Sequence, residues 1–323
     1  MDTVNTSSVV VFVQKRSNMV YKSDYSVDFW KEAKKRWMLL GVLLTVAMAV
    51  LTSRYGHPGG VLRTEYLVYL PMSYIYYTSG RTQLQSCRLR VYVLCIAHTH
   101  CVSLALCVLI ISTLSVALDR RIIEGAILTS VSRPCAWLPL SLSSDGVTPA
   151  LTVASYAASY VFLPLTHVFL CGRIPIQPIK TLIVNAVTVI VPFALGTLSQ
   201  KTDIANTGTV LSALCVLYVE CCKLLREAEG TLYIVDVIAT LFLVVSWLAA
   251  VAISCYIYEI CGLLTAVERN SLLLVATSKS TNIDYLSGCS AVGLARLPAV
   301  FSAPTQALLL SAIFVWPQNG LPR

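Results

Sequence analysis

Two basic side chains stand where an apolar chain can least easily hold them. Arg133 follows Ser132 and precedes Pro134 in the middle of an apolar run that begins near residue 122, and Lys279 lies in the polar stretch TSKSTN inside a run that begins near residue 271. On insertion scales a cation at the centre of a membrane-spanning helix costs roughly 2.5 to 3.5 kcal/mol. Each therefore needs a wet cavity, a carboxylate or the carbonyl-bearing end of an interrupted helix. The chemistry open to such a pair is electrostatic: they can hold an anion or occupy the place of a bound cation. The hydroxyls of Ser132, Thr277, Ser278 and Ser280 and the amide of Asn282 supply hydrogen bonds beside them. Asp284 lies about one helical turn past Lys279. It leaves two readings open, a neutralised Lys279–Asp284 pair of structural value and a cation available to a solute.

Other reactive residues point elsewhere. His98, His100 and Cys101 form a tempting metal cluster, but helix positions two apart face away from each other, so a packing role is expected. Asp284 and Glu220 are the acidic residues best placed for membrane depth, although for Glu220 and Asp236 a position near a helix end is the favoured reading. Of the twelve cysteines, Cys95, Cys101, Cys107, Cys215, Cys221, Cys222 and Cys255 sit in apolar runs without the paired spacing of a zinc site, so they read as small buried hydrophobes. Tyr69, Tyr74, Tyr76 and Tyr77 fit an interfacial aromatic belt. Neither a Ser-His-Asp arrangement, a phosphate-binding glycine loop nor a metal-hydrolase motif is present, and the expectation is that the chain is not an enzyme.

The elements that must carry these residues follow from composition. The chain has 323 residues, 56% of them hydrophobic and 12% charged, with a mean hydropathy of +0.73. Soluble domains carry roughly 25% charged residues, so this chain belongs in a bilayer. At about 20 residues per span its length accommodates about ten helices. Apolar runs cover residues 37–53, a short tyrosine-rich stretch ending near 78, 91–118, a run from 122 broken at 132–134 and ending near 143, 147–170, 179–198, 210–225, 232–261, a run from 271 broken at 277–282 and ending near 294, and 298–316. The net charge of +8 is spread thinly over the loops and does not form a nucleic-acid-binding patch. Lys15, Arg16, Lys22, Lys31, Lys34, Lys35 and Arg36 precede the first run, which places the N-terminus in the cytosol, and an even number of spans returns the C-terminus there. No cleavable signal peptide is expected.

Pro134 and Lys279 lie at matching distances, about a hundred residues, from the starts of the first and sixth runs. Five spans per half make the halves inverted in the membrane, an arrangement of many secondary transporters whose solute sites lie at paired broken helices. The expected organisation is a cytosolic segment 1–36, a first five-helix repeat 37–172, a second repeat 173–316 and a cytosolic tail 317–323.

The ordered segments KKRWMLLGVLLTVAMAVL (34–51), GHPGGVLRTE (56–65), YYTSGRTQLQ (76–85), SSDGVTPALTVASYAASYVFLPL (143–165) and IVNAVTVIVPFALG (183–196) resemble the bile acid:sodium symporter family, most closely its sodium/bile acid cotransporter 7 branch. The resemblance implies an all-α membrane protein of about ten transmembrane helices in two inverted five-helix repeats. Discontinuous helices four and nine would cross in a core domain beside a panel domain. It also implies a sodium site at that crossing, built from hard oxygens. Here helix four offers Ser132, Arg133, Pro134, Cys135 and Ala136 with no Ser-Asn pair, helix five offers Thr152 with Tyr156 at the next expected position, and helix nine offers no glutamate.

The sequence therefore departs from the family's ligand set where sodium would sit, and no other cofactor is implied. Lys279 is expected to take the place of a coupling cation, leaving transport sodium-independent or proton-linked. The function expected is secondary transport of a small, anionic solute through the lipid bilayer. The alternative, which the branch also implies, is a non-transporting regulator of intracellular calcium homeostasis and store-operated calcium entry. The membrane is the plasma membrane or one of the secretory pathway, the endoplasmic reticulum or Golgi. Oligomeric state, solute and coupling ion are not written in the sequence.

Overall fold

A computed structural model describes residues 36–57, 59–82, 85, 87–114, 118–143, 145–171, 183–184, 186–199, 206–227, 233–280 and 293–315. The chain divides into Met1–Trp37 and Met38–Arg323, and the account that follows concerns the second unit. The described residues are helical and carry no strand, only a single isolated β-bridge.

The helices begin and end where local chemistry dictates. α1 (Trp37–Gly56) runs through Leu, Val, Ala and Met and kinks at Thr52, whose Oγ1 turns back onto the Met48 carbonyl at 2.6 Å. Gly59, at φ +79°, then turns the chain. α2 (Thr64–Leu67) and α3 (Tyr69–Gly80) are the two parts of a helix interrupted at Val68. α4 (Leu89–Ala97) and α5 (Ser103–Leu114) are one long helix with a widened π turn, His98–Val102, in its middle. α6 (Arg120–Val131) is capped by the Asp119 carboxylate. α7 (Trp137–Leu142) is a six-residue piece beyond the break. α8 (Val147–Cys171) starts under an Asp145 cap, with Pro149 in its first turn. After a π turn at Ala186–Ile190 come α9 (Val191–Ser199), α10 (Asn206–Glu227) and α11 (Ile234–Ile260). α12 (Ala266–Thr277) carries a Thr265/Glu268 capping box. α13 (Leu297–Val315) follows a 3₁₀ turn, Gly293–Arg296.

Among the described residues five helices are long and apolar enough to cross a membrane: Trp37–Gly56, Leu89–Leu114, Thr207–Arg226, Ile234–Ile260 and Leu294–Phe314. The described residues are helical, and these five apolar helices mark a membrane-embedded protein. The two expected interruptions are present among the described residues, since α6 stops at Val131 and α12 at Thr277. Two expectations are corrected. The run expected to begin near residue 271 starts its helix at Ala266, because the polar Glu268 serves as a cap instead of marking a loop. Tyr76, assigned to an interfacial belt, is buried, whereas Tyr69 and Tyr74 are exposed.

Glycines set the closest helix contacts. A Cβ on Gly80 of α3 would lie 2.2 Å from the Phe193 carbonyl, and one on Gly196 of α9 2.2 Å from that of Tyr77, so α3 and α9 pack backbone to backbone. Gly125 of α6 meets Ala295 in the same way, at 1.9 Å. Three polar joints gather the loops at one end: Gln85 N–H donates to the Gly146 carbonyl, Arg90 Nη2 to that of Leu263, and Ser271 Oγ to Asp145 Oδ2.

Candidate functional site

The site is built where the two interrupted helices meet. Pro134 and Lys279 face each other across an antiparallel β-bridge. Cys135 N–H donates to the Ser278 carbonyl at 2.9 Å and Ser280 N–H to that of Arg133 at 2.7 Å. The breaks have different local causes. At the first, the proline ring disfavours helical geometry at Arg133 and brings no N–H of its own. At the second no proline is present. Thr277 Oγ1 and Ser278 Oγ turn onto the Leu273 and Leu274 carbonyls, each at 2.6 Å, and compete with the helix ladder. Unsatisfied backbone is not tolerated within a bilayer. Each break supplies the partners that the other lacks.

The bridge also decides where the two cations go. Opposed residues of a bridge project on one face and their chain neighbours on the other. Lys279 therefore projects on the Pro134 face and Arg133 on the opposite face. The Lys279 side chain is 1% exposed, and its Nζ donates to the Thr99 carbonyl at 2.5 Å. That carbonyl belongs to the π turn, where the widened ladder lets an oxygen turn outward. The Lys279 backbone N–H donates to Gln306 Oε1 of α13 at 3.1 Å. One residue thus joins the end of α12 to the middle of α4–α5 and to α13. Arg133, 8% exposed, places its guanidinium 5.4 Å from the centroid of the Tyr160 ring of α8.

The other expected residues fall around this point. Ser132, Ser278, Thr277 and Thr152 are fully buried or nearly so, and Ser280 is partly buried. The Thr152 hydroxyl is spent on the Thr148 carbonyl of its own helix. Asn282 and Asp284 lie outside the described residues, so the proposed Lys279–Asp284 pair does too. Buried hydroxyls of Thr99, Ser103, Ser132 and Ser155 and the Gln306 Nε2 have no hydrogen-bond partner among the described residues.

His98 and His100 diverge as their spacing requires. His98 Nε2 meets Ser254 Oγ of α11 at 2.7 Å, whereas His100 stacks on Phe162 of α8 with centroids 5.2 Å apart. Among the described residues no group of histidine, cysteine and carboxylate side chains could hold a metal ion.

Sequence reasoning missed three participants. Thr99 and Gln306 act through a backbone carbonyl and a lone amide, which leave no signal beyond the π turn. Glu220, expected at a helix end, lies inside α10 and accepts the Trp137 indole N–H at 3.1 Å. Its signal was a tryptophan directly after the first break, whose buried N–H needs an acceptor. Asp236, by contrast, does lie in the first turn of its helix. No family model matches the chain, and no curated protein matches it.

Proposed function

We propose that this protein is a secondary carrier of the bile acid:sodium symporter type, of the cotransporter 7 branch, that moves a small anionic solute without a bound sodium ion. The single observation that carries the reading is the antiparallel bridge at Pro134 and Lys279, with a buried lysine amine held by a main-chain oxygen at the crossing. Backbone that leaves the helical ladder at membrane depth is characteristic of transporter sites. Lys279 Nζ takes a carbonyl oxygen of the kind that coordinates a small hard cation, so a covalently tethered cation stands where a coupling ion would bind. A basic side chain on each face of the bridge disfavours a bound metal ion there and leaves an anion as the favoured solute.

The ten-helix, two-repeat organisation is part of the same proposal, and paired contacts support it. α5 packs on α6 as α11 packs on α12; α6 meets α13 as α12 meets α8; and α4 meets α8 as α11 meets α13. In this arrangement the halves of the chain are inverted, and α6–α7 and α12 belong to a core that rocks against a panel. The loops joined through Gln85, Arg90 and Asp145 are the cytosolic end, which carries Arg81, Arg88, Arg90 and Arg269.

Counterflow into liposomes containing the purified protein tests the reading, with taurocholate, sulfate and phosphate as labelled probes in sodium or potassium medium. Uptake of at least one anion, equal in both media, is the expected result. A steep sodium dependence that Lys279→Ala leaves intact contradicts the tethered-cation role. A protein that moves none of the anions, yet alters store-operated calcium entry when removed from cells, is a regulator instead of a carrier.

A further inference from the structure

The segment just beyond the first break is short and depends on its neighbours. α7 is only six residues long. It is preceded by the non-helical stretch 132–136 and followed by the loop leading into α8. Too short to be stable alone, it is held by what it touches: α3, α8, α10, α12 and α13. Trp137, its first residue, is 4% exposed, and the indole N–H donates to Glu220 Oε1 of α10 at 3.1 Å. An indole N–H buried without an acceptor is costly, so the contact favours one position of α7 on α10. Glu220 is itself only half-buried. The hydrogen bond lies close to the bridge along the chain, because Cys135, two residues before Trp137, donates its N–H to the Ser278 carbonyl in the bridge ladder.

We infer that the Trp137–Glu220 hydrogen bond is a latch: it locks α7 against α10, and its release swings α7 away and admits water to the buried Cys135 beside the bridge. The inference concerns a motion and not a cargo, so it stands or falls apart from the carrier reading. Cys135 is the native reporter, being 6% exposed in the latched state. Maleimides attack the thiolate, which forms where water reaches the sulfur.

The full-length protein in liposomes is exposed to N-ethylmaleimide and the alkylation rate of each cysteine is read by peptide mass spectrometry. Cys255, fully buried in α11, serves as the internal reference for general loosening. Glu220→Leu and Trp137→Phe should each raise the Cys135 rate by roughly fivefold or more while Cys255 stays unchanged, as expected for a local opening. Glu220→Gln, which keeps an acceptor oxygen, should stay within about twofold of the unaltered protein, and the double variant should react no faster than the faster single variant, since one bond can be lost only once. An unchanged Cys135 rate in both single variants overturns the latch, and so does a rise that Cys255 shares or a double variant whose effects multiply. A Glu220→Gln rate as high as that of Glu220→Leu overturns the assignment of the hydrogen bond as the holding contact.

Discussion

The two cations at the crossing occupy the same bridge and are treated in opposite ways. Lys279 is sealed, 1% exposed, with its amine committed to a main-chain oxygen on one face. Arg133, 8% exposed, spreads its guanidinium over the Tyr160 ring on the other. A point charge on a flexible stem can be threaded between helices to one carbonyl, whereas a planar fork prefers an aromatic face and several acceptors. Two residues with equal standing in the sequence thus become a clamp inside the helix packing and a side chain lying against α8.

The difference makes predictions of graded size. Lys279→Met should abolish anion flux. It should shift unfolding stability by no more than about 2 kcal/mol, because removing a buried charge offsets the hydrogen bond lost at Thr99. Flux in liposomes and thermal unfolding of the same preparation separate the two effects, and retained flux would reduce Lys279 to packing. Gly125→Ala presses on α6, which ends at Val131 just before Arg133, since the new Cβ would clash with the Ala295 carbonyl. It should cost about 2–3 kcal/mol in thermal unfolding. Gly41→Ala, which meets only the flexible end of Leu214, should cost less than about 1 kcal/mol in the same measurement.

Thr265→Ala removes the capping box of α12, the helix that ends at Thr277, two residues before Lys279. A loss of about 1 kcal/mol is expected, with faster hydrogen exchange confined to the first turn of α12. The smallest effect belongs to Arg133. Tyr160→Leu should cost about 0.5–1 kcal/mol and Tyr160→Phe nothing measurable, because the phenyl ring keeps the face over which the guanidinium lies. Equal losses from the two substitutions would show that the Tyr160 hydroxyl, which hydrogen-bonds with Tyr156, and not the ring face toward Arg133, carries the contribution.

Legibility in the sequence followed the range of the interactions. The break at Pro134 could be read because a proline acts on its own residue and the one before it. The break at Lys279 could be read because a run of hydroxyls and a lysine interrupts apolar residues. The start of α12 was misplaced because Glu268, Arg269 and Asn270 look like a loop until Thr265 and Glu268 are seen to cap one another. Tyr76 was misassigned because its neighbours Tyr74 and Tyr77 share its composition, and only helix packing turns it inward. Glu220 was misassigned because its acceptor role depends on Trp137, eighty-three positions away.

By itself the sequence determined that this is a helical chain for a bilayer, where its apolar runs lie, and that two of them are interrupted. Those are consequences of transfer free energy and local backbone preference, which act over a few residues. Only the tertiary structure decided that the interruptions repair each other, that Lys279 and Arg133 diverge, and that a π-turn carbonyl and a glutamine complete the site. Such pairings require groups far apart in the chain to arrive at hydrogen-bonding distance, and that distance is a property of the packed helices and of no local segment.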